Sequence, residues 1–215
     1  MYEPGLISIK ESLKYANDVL NKLTDPALKN LGGIIGDGIA YWRLLNLVKI
    51  LKKVEILFKK NNISPQKINL KTLMPLIEYS SLEEDVGLSE KWAALLANAA
   101  NPETSKNIRP AFVEILKELT PIEVKILDDI YNKITITTRN NIQHDPVTRD
   151  YIIEKFQLEI DEYDVLIENL IRVNLCMPPS VGGLTFGPIY RNISEIKLTA
   201  LGIAFIEACK LKLNE

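Results

Sequence analysis

Between Leu44 and Phe58 the apolar residues fall at Leu44, Leu47, Leu51, Val54 and Phe58, in alternating steps of three and four. Such a rhythm gathers one stripe only if the chain is an α-helix, and it is the seam of a helix packed lengthwise against a neighbour. Lys49, Lys52, Lys53, Lys59 and Lys60 fall mostly off that seam. An antiparallel helix hairpin or bundle is therefore expected. Leu6, Ile9, Leu13, Ala16, Leu20 and Leu23 supply a first one-sided helix. Asp25-Pro26 is a start signal for the long second one, with a capping carboxylate and a first-turn proline. Gly32, Gly33, Gly36 and Gly38 interrupt it at about 1 kcal/mol each, which close helix crossing would offset. They match neither phosphate-loop pattern, and no strand precedes them.

Asn61-Asn-Ile-Ser-Pro-Gln reads as a connector, and Leu70 to Ile77 as a short helix bent or delimited by Pro75. Ser81-Leu-Glu-Glu84 fits a capping box for a helix reaching about Ala100, with Leu88, Trp92, Leu95, Leu96 and Ala99 as its buried stripe. Glu83, Glu84 and Asp85 then complement that helix's N-terminal dipole. Pro110 to Leu119 is a further amphipathic helix. Thr120-Pro121-Ile-Glu123 opens another, running to about Lys133. Helices over Thr148–Gln157 and Asp161–Asn174 follow. A hairpin at Val181-Gly-Gly183 then joins segments near Met177 and Thr185-Phe186, and a short strand at Ile196–Leu198 precedes a helix capped by Thr199 that reaches about Lys212. The fold class is mainly α: a helical domain over 1–119 with a long helix hairpin, then a winged-helix-like domain over 120–215 with a small β-wing.

The residue inventory narrows the chemistry. Among 215 residues there is one histidine, His144, and two cysteines, Cys176 and Cys209, so neither a structural Cys/His zinc site nor a Ser-His-Asp triad without His144 can be built. His144 sits in a polar loop with no nucleophile placed beside it. A metal held by carboxylates alone stays open, but no further acid is positioned to join Glu83, Glu84 and Asp85. No cofactor is expected. The start of the chain carries no basic, apolar leader, and the oily stretch from Leu31 to Phe58 is broken by charges, where a membrane span needs about 20 nearly uncharged residues. A cytoplasmic protein with two reduced thiols is expected.

A winged helix raises the question of DNA, and the charge count answers against it. Residues 120–215 hold ten Lys and Arg against fourteen Asp and Glu. The would-be recognition helix opens on Asp161, Glu162 and Asp164, which would repel phosphate at close range. Arg149, Arg172 and Arg191 are the residues a nucleic-acid reading would use.

Four segments carry a resemblance: Gly32–Arg43 (GGIIGDGIAYWR), Ser81–Asp85 (SLEED), Glu90–Asn98 (EKWAALLAN), and Pro110–Leu116 (PAFVEIL) with Leu119-Thr-Pro121. Together they resemble the Abi-alpha abortive-infection family over roughly 25–215, most strongly over 80–121. The resemblance implies a bacterial phage-defence protein, in which infected cells stop growing or die before progeny emerge. It makes Asp37, Arg43, Glu83, Asp85 and Trp92 the motif positions, with Glu84 and Lys91 beside them, and it brings no catalytic assignment. Arg43 lies about 240° round the helix from Asp37, so the two cannot pair within a turn. Arg43 is expected instead to reach the acidic start at Glu83–Asp85. The resulting expectation is a non-enzymatic sensor or effector working through a phage or host protein partner, with self-association open. Its rivals are a winged-helix transcriptional regulator, a toxin using the Lys-rich helix 44–60 at a membrane surface, and an enzyme acting through Glu83, Glu84 or Asp85.

Overall fold

The computed structural model describes residues 9–24, 38–137, 146–179 and 193–210. Asp37, the glycines before Gly38, His144, the Val181–Gly183 hairpin with Thr185-Phe186, and Arg191 lie outside them. Two compact units emerge, Met1–Glu118 with Ala208–Glu215, and Leu119–Glu207. Among the described residues the fold is mainly helical with one small three-stranded sheet.

The first unit holds α1 (Ile9–Leu23), α2 (Gly38–Lys60), α3 (Leu70–Ser80), α4 (Val86–Ala100), a 3-10 turn (Ser105–Asn107) and α5 (Pro110–Glu118). α4 packs on α2 and α3, α1 on α2, and α3 on α5. Every α4 residue from Trp92 to Ala100 is buried, as expected of a helix that is apolar all round. The alanines among them let neighbouring backbones come close, while Trp92, Leu95 and Leu96 supply bulk. The α2 seam is buried from Leu44 to Phe58 as its spacing predicts. Between α2 and α3 the chain has no regular secondary structure, and its Gln66 and Ile68 N–H groups donate to the last carbonyls of α4 and α1, Ala100 and Leu23, both at 2.8 Å. Those carbonyls have no partner within their own helices.

The second unit holds α6 (Pro121–Thr137), β1 (Val147–Thr148), α7 (Arg149–Phe156), α8 (Ile160–Arg172), β2 (Cys176–Met177), β3 (Glu195–Leu198) and α9 (Ala200–Ala208), whose last residue groups with the first unit. The sheet order is β1-β3-β2, antiparallel throughout, pairing Val147 with Ile196 and Cys176 with Leu198. Tyr163, Ile167, Leu170, Leu175 and Ile196 are buried in its core.

Three helices stop in the same way. Asn62, Gln157 and Asn174 have φ of 52°, 54° and 59°, and after each the next N–H bonds the carbonyl five residues back, closing α2, α7 and α8. Asparagine tolerates this left-handed backbone better than most residues.

Several expectations need correction. α4 starts at Val86, not Ser81, because α3 runs on to Ser80 and Ser81 serves as its C-terminal cap; the Ser81–Glu84 pattern is not a capping box. The last helix ends at Ala208 rather than near Lys212.

Candidate functional site

At the end of α3 the carbonyls point out along the helix axis, at the negative end of its dipole, and the following turn and side chains take them up. Arg43, near the start of α2, meets that end: its Nε donates to Ser81 Oγ at 3.0 Å and its Nη2 to the Glu78 carbonyl at 3.3 Å. Ser81 Oγ itself donates to Glu78 O at 2.6 Å. Arg43 thus pins α2 to the α3 terminus through a hydroxyl and a carbonyl. The expected carboxylate partners are absent from this contact because Glu83 and Asp85 are held elsewhere.

Asp85 is the N-cap of α4: its backbone is extended and its Oδ1 accepts from Leu88 N at 2.9 Å. Glu83 folds back over the same turn. Its Oε1 accepts from Asp85 N at 2.9 Å and its Oε2 from Trp92 Nε1 at 3.3 Å. A buried indole N–H needs an acceptor, and Glu83 provides it for a ring left only 1% exposed. Glu84 is exposed and Lys91 half-buried. Lys53, nearly three turns further along α2, adds a bond to Val86 O at 3.3 Å. Arg43, Glu83, Asp85 and Trp92 therefore converge on one junction of α2, α3 and α4, and each closes a backbone end or a core contact there.

The most densely bonded residue of the motif region is one that its sequence neighbourhood does not single out. Asn98, 4% exposed, donates from Nδ2 to Ala208 O at 2.9 Å and Lys210 O at 3.0 Å, and its Oδ1 accepts from Thr104 Oγ1 at 3.2 Å. Its amide takes up carbonyls at the end of α9, where no glycine or proline marks a stop. The available signal was an asparagine inside an otherwise apolar helical run, since a buried amide must find partners.

In the second unit the Thr120/Glu123 box is closed in both directions: Glu123 Oε2 accepts from Thr120 N at 2.6 Å and Oγ1 at 2.7 Å, while Glu123 N donates to Thr120 Oγ1 at 3.4 Å. The same carboxylate, 1% exposed, accepts from Asn169 Nδ2 at 2.6 Å. Asn169 Oδ1 in turn accepts from Arg172 Nε and Nη2 at 3.1 and 2.7 Å. Arg149 lies 5.6 Å from the ring centre of Tyr163, whose phenol is pushed up to about 12 chiefly by burial. Both described arginines of the nucleic-acid alternative thus have intramolecular partners. The outer face of α8 carries Asp161, Glu162, Val165 and Glu168 in exposed positions.

Among the described residues no three His, Cys, Asp or Glu side chains gather as a metal would require. Nor is any described helix long and apolar enough to cross a membrane. Glu83 Oε1 and Oε2 and Asp85 Oδ1 accept from backbone N–H groups and an indole, and so hold the start of α4.

Comparison with known proteins gives one result. Residues 43–209 match the family model described as abortive infection alpha. The match begins at Arg43, so the glycine-rich segment and Asp37 fall outside it. No curated protein and no solved structure matches the chain.

Proposed function

Since the chain belongs to the abortive infection alpha family, we propose that it serves bacterial phage defence as a non-enzymatic cytoplasmic sensor or effector acting through protein contacts. One observation carries this reading: the described charged signature residues Arg43, Glu83 and Asp85 close helix ends and hold Trp92. What the molecule offers a partner is then its shaped exterior.

The second unit is read as a winged helix on the strength of its element order, helix, strand, helix, helix, strand, strand, and of the β1-β3-β2 sheet. In that reading α8 is the recognition helix. Its exposed Asp161, Glu162 and Glu168 oppose phosphate, and its exposed Val165 suits a protein surface, so the transcriptional-regulator reading loses ground to a protein-binding one.

The test is protection of phage-infected cells by Asp85→Asn and Glu84→Gln. Asparagine caps a helix as well as aspartate does, so Asp85→Asn keeps the fold and removes the carboxylate. Unchanged plating efficiency and cell survival are expected. A folded Asp85→Asn protein that no longer protects would give the carboxylate a chemical role and defeat the proposal.

A further inference from the structure

We infer that this chain binds a second copy of itself, the basic outer face of α2 in one copy docking on the acidic outer face of α8 in the other. On α2 the solvent side is centred on Ile56, 51% exposed, with exposed Lys52 one turn before it and exposed Lys59 and Lys60 one turn after. Glu55, the acid beside Ile56, offsets this charge only in part: its carboxylate accepts from Lys22 at 2.8 Å and Tyr15 at 2.6 Å, and Lys59 acts on it more weakly. On α8 the solvent side is centred on Val165, 68% exposed, with exposed Asp161 and Glu162 about one turn before it and exposed Glu168 one turn after. Arg172, a turn further on, is bonded to Asn169.

The two faces are mirror templates in charge. Each has one apolar residue with like charges a helical turn to either side, and at 1.5 Å per residue each spans about 11 Å. Laying Ile56 on Val165 therefore sets lysines against carboxylates at both ends, whether the helices run parallel or antiparallel. Each face alone would repel its own kind, so complementarity selects the unlike pair and a second copy supplies it. The apolar centre gives the contact something to desolvate, without which exposed ion pairs contribute little. The inference rests on surface charge and spacing and not on the phage-defence reading, so assembly and protection are separate measurements that fail separately.

Sedimentation velocity on the full chain tests it. Wild type is expected to pass from monomer to larger species as concentration rises, with association weakened about tenfold or more between roughly 50 and 500 mM salt. Lys52→Glu/Lys59→Glu and Glu162→Lys/Glu168→Lys should each remain monomeric. Mixed together they should assemble again in one-to-one proportion, since the unreversed faces of the two variants match each other and so do the reversed ones. That mixture also shows that both variants are folded. Wild type monomeric up to about 200 μM at low salt, variants that assemble like wild type, or a mixture that stays monomeric overturns the inference. So does monomeric wild type that floats with phosphatidylglycerol vesicles through a face lost in Lys52→Glu/Lys59→Glu, which would make that face a lipid contact instead.

Discussion

Replacing Asn98 tests how much of the first unit depends on one amide. Asn98→Ala removes both donors to Ala208 O and Lys210 O, and the longer of the two bonds that Thr104 Oγ1 makes to this residue. A net hydrogen bond contributes about 1 kcal/mol, and a stranded buried partner costs about 1–3 kcal/mol. Two carbonyls lose a partner, and one of them, that of Ala208, belongs to a buried residue, while Thr104 Oγ1 keeps its bond to the Asn98 carbonyl at 2.9 Å. A gross loss of about 3 kcal/mol follows, offset by about 0.6 kcal/mol for alanine's better helix propensity. Both tryptophans of the chain, Trp42 and Trp92, lie in the first unit, so urea unfolding followed by tryptophan fluorescence reads that unit. With a slope of about 2 kcal/mol/M the midpoint should fall by about 1 M. Asn98→Asp is the sharper variant: nearly isosteric, it points an oxygen at two carbonyl oxygens and should destabilise more than alanine does. A loss below about 0.5 kcal/mol for alanine, or an aspartate milder than alanine, would refute the assignment of the amide as a double donor.

Gly202→Ala should destabilise the second unit by about 3 kcal/mol or more, because the added methyl would meet Leu175 O at 2.1 Å and backbone cannot step aside cheaply; circular dichroism melts of variant and wild type check it. Trp92→Ala should cost about 3–5 kcal/mol by emptying the α4 core, whereas Trp92→Phe, which gives up the Glu83 bond and part of the ring, should cost less than half as much by the same fluorescence of Trp42. Burial pushes the Cys176 thiol up to about 12, above the unfolded value near 8.5. Native protein should therefore resist thiol reagents at Cys176 through about pH 9, and stability should decline as pH climbs past 8.5, where the unfolded chain releases that proton first; mass spectrometry after timed labelling decides. The Glu55 carboxyl is held below its usual range, first by Lys22 and then by Tyr15. Its stabilising share is complete above the unfolded carboxylate range and fades as pH drops through it towards the lower folded value, so Glu55→Gln should flatten the acid limb of first-unit stability.

What the sequence disclosed was what short-range physics determines. The α2 seam needs only its own spacing, and the Thr120/Glu123 box closes within four residues. Ser81 shows where such patterns mislead: Ser-x-x-Glu satisfies the motif, but a preceding helix that extends to Ser80 claims the serine first. Strand β1 was missed because two residues carry no periodicity; Val147 and Thr148 are a strand only through Ile196 and Glu195, nearly fifty positions away. Residue types point Arg43 to the right junction but not to its acceptor, since a helix end's carbonyls attract a guanidinium as a carboxylate does and leave no trace in residue identity. The Asn98 clasp bridges more than a hundred positions, and no local window contains it.

The path of the backbone bears on how pieces of this molecule can be made. Because Ala208 and Lys210 complete a helical body whose other members all precede Leu119, a recombinant fragment stopped at Glu118 would carry an open seat at Asn98, and a nonsense codon shortly before Ala208 would injure the amino-terminal half from the far end of the gene. Excising the middle instead, and rejoining Glu118 to Ala208 through a flexible tether, is the cut that respects the architecture.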